Sequence, residues 1–276
     1  MMSLFQYDFM QRAFVAALIV GVIAPLIGVF LVQRRLALLG DGMGHVALTG
    51  VGLAFLVGSA PIPTALVVAA LGAVLLEVIR ARSRTAGDLA LALVFYGGIA
   101  GGVFLTSLAG GKATTSLNQY LFGSLSTVSA TDLIGLGVAA TVVLVVLAIF
   151  GRELFAMSLD SELAQVQGIR TTLMSTLLTV MAAISVVVGM RTVGLLLVSA
   201  IMIVPIAAAQ QLTRSFTVTA VIGVALGLVS TTAGLTSSYY LDVPPGPTIV
   251  LIALAIFVLA GLAGYVARRR SRLARR

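Results

Sequence analysis

The sequence predicts an all-α, polytopic membrane helix bundle of about nine transmembrane helices (eight to nine). Three observations carry that expectation. Of the 276 residues, 60% are hydrophobic and only 9% are charged, whereas soluble domains carry roughly a quarter charged residues. The mean hydropathy is +1.16, which is more apolar surface than a soluble fold of this length could bury in one core. The apolar residues also come in runs close to the ~20 residues a helix needs to cross the hydrocarbon core. Soluble enzymes are excluded first. Little chain is left between the runs, so residues 1–276 read as a single transmembrane domain.

The first run, Ala13–Gln33, follows Asp8 and Arg12. It is too long for the apolar region of a signal peptide and no small-residue cleavage site follows it, so it reads as a retained first span. The next uncharged run, 46–76, is too long for one helix and is broken by Pro61 and Pro63. It divides into helices near 41–58 and 63–79. Single spans follow at 89–111, 133–151, 171–190, 192–213, 215–241 and 243–267. Pro25 and Pro205 lie inside spans, where they should kink or locally unwind the helix. Gly97, Gly98, Gly101 and Gly102 have the small-xxx-small spacing that lets helices pack closely in lipid. No internal repeat or low-complexity linker divides the chain.

Charge fixes the expected orientation. With the N-terminus outside and the C-terminus cytoplasmic, 14 of the 17 basic residues fall on the inner side and only Arg12, Lys112 and Arg191 on the outer, a strongly positive-inside arrangement. The uncharged stretch Ala113–Thr131 must then not span, since a crossing there would leave 6 basic residues inside and 11 outside. It is rich in Ser and Thr and reads as an outer loop with a short interfacial or re-entrant piece around Tyr120–Leu125. Such backbone is tolerated at depth only where protein buries it. The net charge of +8 is thus a topology signal. The basic tail at 268–276 meets anionic membrane lipid rather than nucleic acid.

Two regions carry candidate chemistry. His45 is the only histidine, and Asp41 precedes it by four residues, which puts both on one helix face. Imidazole and carboxylate are both ligands for divalent transition metals. Ionisable groups inside a span usually face a pathway or a partner. The bland alternative makes Asp41 an N-cap, with His45 hydrogen-bonded to it or to a carbonyl. One chain offers only these two close ligands, short of the four a tetrahedral site wants. A symmetric dimer would double the set, or water and carbonyls would complete it within each chain. Asp41 must be ionised and His45 neutral to hold a cation.

The second region is the inner loop at about 152–170. Leu159, Leu163 and Val166 fall near one helical face, with Asp160 and Glu162 on another, and Gly168 is a candidate C-cap. A short amphipathic helix there is either an ordinary interfacial helix or a docking surface for a cytoplasmic partner. Acids inside the loop with arginine at each edge favour docking. The chain lacks cysteine, so thiolate ligands are excluded. Gly110-Gly111-Lys112-Ala113 lacks the rest of a phosphate-binding loop, and no hydrolase motif is present. The chain is therefore expected not to be an enzyme, and any ATP hydrolysis belongs to another polypeptide.

Several segments together resemble a known family. Arg34–Gly50 (RRLALLGDGMGHVALTG) resembles the second-span signature of the permease subunits of bacterial ABC importers for zinc, manganese and iron. Asp160–Ile169 is similar to that family's cytoplasmic coupling segment, Val193–Val198 through Pro205 to its late-span signature, and Ser238–Pro247 to its last outer loop. The resemblance covers most of the chain in order. It implies a fold like the type II importer permeases, in the bacterial cytoplasmic (inner) membrane. It also implies the partners: a second permease chain (a homodimer, or a heterodimer of related chains), two cytoplasmic ATPase subunits that hold the ATP, and an extracytoplasmic metal-binding protein. No cofactor is bound permanently; the transported ion is zinc, manganese or iron. Carried over, Asp41 and His45 are the intramembrane metal contacts, and Asp160, Glu162, Ala164 and Gly168 belong to the helix that receives the ATPase stroke. Other readings are an ion- or proton-coupled secondary transporter or channel, and an ABC permease for a metal chelate.

Overall fold

The computed structural model describes residues 7–82, 87–110, 119–123 and 128–273, the side chains of 87, 88 and 267–273 excepted. Arg84, Lys112, the polar loop residues 113–118 and 124–127, and the end of the basic tail lie outside the described residues. Among those described there is no strand, and nine helices are long and apolar enough to cross a membrane. These are α1 (Asp8–Gln33), α2 (Leu39–Val57), α3 (Pro61–Arg82), α4 (Gly87–Ala109), α5 (Ala130–Leu159), α7 (Thr171–Thr192), α8 (Leu195–Leu212), α9 (Phe216–Leu241) and α10 (Pro245–Leu273); the short α6 (Ser161–Val166) joins α5 to α7. The all-α polytopic bundle expected from composition is the fold observed.

Local chemistry places the breaks. The long second run divides at Gly58, which closes α2 in the left-handed conformation at φ 70°. Pro61 then opens α3, a position where proline's missing N–H costs nothing and its φ suits the helix. The second proline, Pro63, sits inside that first turn. At the far end of α1 the chain turns through Arg35, a non-glycine residue at φ 60°. The Leu36 N–H donates to the Leu31 carbonyl at 2.8 Å and the Arg35 N–H to the Val32 carbonyl at 3.0 Å. This is the paired bonding of a Schellman cap. Pro25 and Pro205 both sit within continuous helices.

Helix α5 is longer than its uncharged run. The helix continues through Arg152–Leu159 because no breaker intervenes and Leu154 and Met157 are buried. The segment expected at 152–170 is therefore divided between the end of α5, the separate helix α6 and a short connection.

Four helices form the interior. α1, α2, α7 and α8 are the most buried, while α3, α4, α5, α9 and α10 lie outside them with mostly exposed apolar windows. Leu71, Phe104, Ile134, Val145, Leu251 and Leu259 point outward, as side chains facing lipid tails do. Helix α2 is held between α3, α4, α7 and α8. Close approach of α4 depends on Gly98: a Cβ there would lie 2.7 Å from the backbone of His45 and Val46. Gly101 and Gly102 pack against Thr49 and Leu48, so the packing expected of the glycine pattern is seen, whereas Gly97 faces open space. The Thr49 hydroxyl donates to the Gly98 carbonyl at 2.8 Å and clamps the two helices together.

Candidate functional site

Helix α2 begins at Leu39 with Leu38 as its N-cap residue. Asp41 is therefore already inside the first turn and is not the N-cap. Its carboxylate oxygen Oδ1 stands 3.8 Å from the His45 Nε2. That is too long for a hydrogen bond, so the bland arrangement in which the two satisfy each other is not made. It is short enough for one ion between them, because two ligand bonds of about 2.1 Å span up to about 4.2 Å. The side chains are 28% and 14% exposed for Asp41 and His45. Among the described residues no hydrogen bond engages either side chain. The His45 ring is held by an edge contact with Phe95, centroids 4.8 Å apart.

Asp41 lines a cavity of about 580 Å³, together with Leu38, Phe122, Leu197, Ser199 and Ile203 among others. The carboxylate is the one ionisable group in that lining, and Ser199 supplies a hydroxyl. Among the described residues no group of three or more His, Cys, Asp or Glu side chains is gathered as a metal site. One chain thus presents two side chains able to act as donors, of which Asp41 lines the cavity.

Phe122 reaches the cavity from the segment that sequence assigned to an outer loop. Residues 119–122 form one helical turn, and Gly123 follows at φ 73°. Gly194, at φ 92°, lies against it: a Cβ on Gly194 would stand 2.6 Å from the Gly123 nitrogen, and one on Gly123 2.5 Å from the Gly194 nitrogen. The turn is thus seated on the α7–α8 junction. Beyond it, Ser129 and Asp132 form a capping box at the start of α5, and Asp132 pairs with Arg191 at 3.1 Å. Of the stretch expected around Tyr120–Leu125, residues 120–123 are described and belong to this turn, while 124 and 125 lie outside the described residues.

At the opposite end of the bundle, Asp160 caps α6. Its Oδ1 accepts from the Glu162 N–H at 2.9 Å and from the Leu163 N–H at 3.0 Å. Gly168, at φ 84°, follows the helix in the C′ position. The Ile169 N–H donates to the Ala164 carbonyl and the Gly168 N–H to that of Gln165, both at 3.0 Å, which completes a Schellman cap. Ala164 is 1% exposed and faces the chain's own interior. Leu159, Leu163 and Val166 point outward, Val166 at 85% exposure. The glutamate at 162 is also exposed. So Asp160, Ala164 and Gly168 hold the helix in place, and the apolar face with Glu162 is what it presents.

A polar cluster not singled out by sequence lies beside α6. Arg34 Nη1 donates to the Ser175 Oγ at 2.8 Å. Glu77, only 6% exposed, accepts from the Arg80 Nη1 at 2.9 Å and from the Thr179 Oγ1 at 2.8 Å. Burial, then the neighbouring Arg80, lowers the Arg34 pKa from its usual value, and Glu77 opposes them. An acid inside the uncharged-looking third span was the available signal.

The sequence profile of the ABC 3 transport family matches residues 6–264. The chain belongs to the ABC 3 transport family. It is 34% identical over 260 residues to the manganese transport system membrane protein MntC of Halalkalibacterium halodurans, covering 94% of this chain and 88% of that one. It is 28% identical over 256 residues to the high-affinity zinc uptake system membrane protein ZnuB of Haemophilus influenzae, covering 92% of this chain and 97% of that one. A solved structure described as PsaBC from Streptococcus pneumoniae in complex with Fab has a chain that superposes with a TM-score of 0.82 at 30% identity, covering 93% of this chain and 92% of that chain. The family expected from Arg34–Gly50 and the later segments is thus the family found. As an ABC 3 member the chain is an integral membrane permease, and the nine apolar helices among the described residues accord with that.

Proposed function

We propose that this chain is the membrane-spanning subunit of an ATP-driven importer for divalent transition-metal ions, manganese or zinc foremost and iron as a further cargo. The observation that carries the reading is the Asp41–His45 pair: two metal-competent donors 3.8 Å apart, free of other hydrogen bonds among the described residues, with Asp41 opening onto a cavity of about 580 Å³. The manganese and zinc transport relatives support the cargo. Nitrogen and oxygen ligands suit all three metals, so supply and the delivering protein select among them.

Two donors do not complete a coordination shell. A second copy of the chain, related by a two-fold axis with its own Asp41 and His45 facing the first pair, would raise the set to four. The cytoplasmic side is the end that bears Arg34, Arg80, Arg152, Arg170 and Arg214, as the positive-inside rule requires, with the N-terminus outside. There the exposed face of α6 receives a separate ATPase subunit, one for each permease chain. An extracytoplasmic metal-binding protein delivers the ion from the Phe122 side. Transport is alternating access between two packings that differ in metal affinity, since a ligand shifts only what it binds differentially.

The test is uptake of radiolabelled manganese and zinc by cells with the chain, without it, and with His45→Ala in its place. Uptake that requires the wild-type chain and is lost with His45→Ala supports the reading. Equal uptake in all three removes it.

A further inference from the structure

Helix α7 carries hydroxyls at Thr171, Ser175 and Thr179, four residues apart and therefore on one face. Each bonds a different element. Thr171 accepts from the Gln165 Nε2 of α6 at 2.8 Å. Ser175 accepts from Arg34, in the connection between α1 and α2, also at 2.8 Å. Thr179 donates to Glu77 of α3 at 2.8 Å. Ser175, Thr179 and Glu77 are all buried.

We propose that this hydroxyl ladder on α7 is the link that carries displacement of the coupling helix α6 to the metal-bearing helix α2, through Gln165, Ser175 and Arg34, with Glu77 and Arg80 holding α3 in register. The inference rests on the importer reading above and deepens it. Three observations carry it. Arg34 stands seven residues before Asp41, and the turn between them is fixed by the Schellman bonds of Leu36 and Arg35, so a shift of Arg34 is passed on to the start of α2. A buried carboxylate paired with half-buried guanidinium groups is a poor stabiliser compared with apolar packing, which argues that this cluster is kept for position rather than for stability. Finally, a cavity of about 270 Å³ lies among Arg34, Glu77, Arg80, Ser161, Gln165 and Ser175. It gives α6 room to move against α3 while the directional bonds to α7 hold.

The experiment uses the full chain assembled with its ATPase subunits in proteoliposomes. Ser175→Ala, Thr179→Val and the half-buried Thr171→Val are compared with wild type and with Ser175→Thr, which keeps a hydroxyl. Manganese affinity and ATP hydrolysis should stay within about twofold of wild type. ATP consumed per manganese ion transported should rise by about threefold or more in the hydroxyl-free variants, and Ser175→Thr should restore the ratio. Combining Ser175→Ala with Arg34→Gln should add nothing to the larger single effect, because both remove one bond. An unchanged ratio in all three hydroxyl-free variants overturns the ladder, as does a loss of transport that only tracks loss of assembled complex. If the wild-type complex itself shows no ATP-dependent manganese transport, the importer reading fails instead.

Discussion

The Asp41 carboxylate and the His45 imidazole face one another across 3.8 Å on a single turn of α2, and neither side chain has a hydrogen-bond partner among the described residues. Helix α2 is packed against α3, α4, α7 and α8, and of the two side chains it is Asp41 that lines the cavity of about 580 Å³.

Metal binding should weaken with acid. An ion needs the unprotonated imidazole nitrogen and the ionised carboxylate. Protons compete for the same nitrogen, so the apparent affinity should fall as the pH is lowered. Titrating manganese into the purified chain between pH 5 and pH 8, roughly the span over which histidine titrates, checks this; flat affinity across that range would mean His45 is not a ligand.

The seat of the Phe122 turn should tolerate no side chain. Gly123→Ala or Gly194→Ala meets both a left-handed backbone and the opposing glycine's nitrogen 2.5–2.6 Å away. Each substitution should cost about 1–3 kcal/mol and lower uptake. Thermal midpoints of the purified variants, set beside uptake rates, read the effect.

The outward face of α6 should be separable from stability. Leu163→Glu and Val166→Asp alter exposed side chains, so folding stability should shift by no more than about 0.5 kcal/mol. Co-purification of the ATPase subunit should be lost. Normal co-purification with both changes would place the docking surface elsewhere.

Arg35 holds a left-handed conformation at φ 60° that costs a non-glycine residue about 1 kcal/mol. Arg35→Gly should raise the thermal midpoint of the purified chain, while Arg34→Gly should lower it by removing the bond to Ser175.

The spans were legible in the sequence because they are built on long apolar runs bounded by charged residues, glycine or proline, and lipid leaves the backbone of such a run little alternative to a helix. The break at Pro61 could be read for the same reason. Position along a helix was less legible. Asp41 after Gly40 has the look of a cap, yet α2 starts two residues earlier because Leu39 is buried against the core. Ala164 could not be told from its exposed neighbours, since a single short turn gives too little periodicity to say which face is inward. The ladder of Thr171, Ser175 and Thr179 was hidden because hydroxyls are common in membrane helices. Only the fold brings Arg34, from 141 positions away, to Ser175.

The most direct measurement is a manganese and zinc titration of the purified chain and two variants. Asp41→Asn and His45→Ala should each weaken binding at least tenfold, the loss that even an outer partner of a metal ligand brings, with the fold intact by circular dichroism. Wild-type affinity in the folded His45→Ala protein would contradict the account.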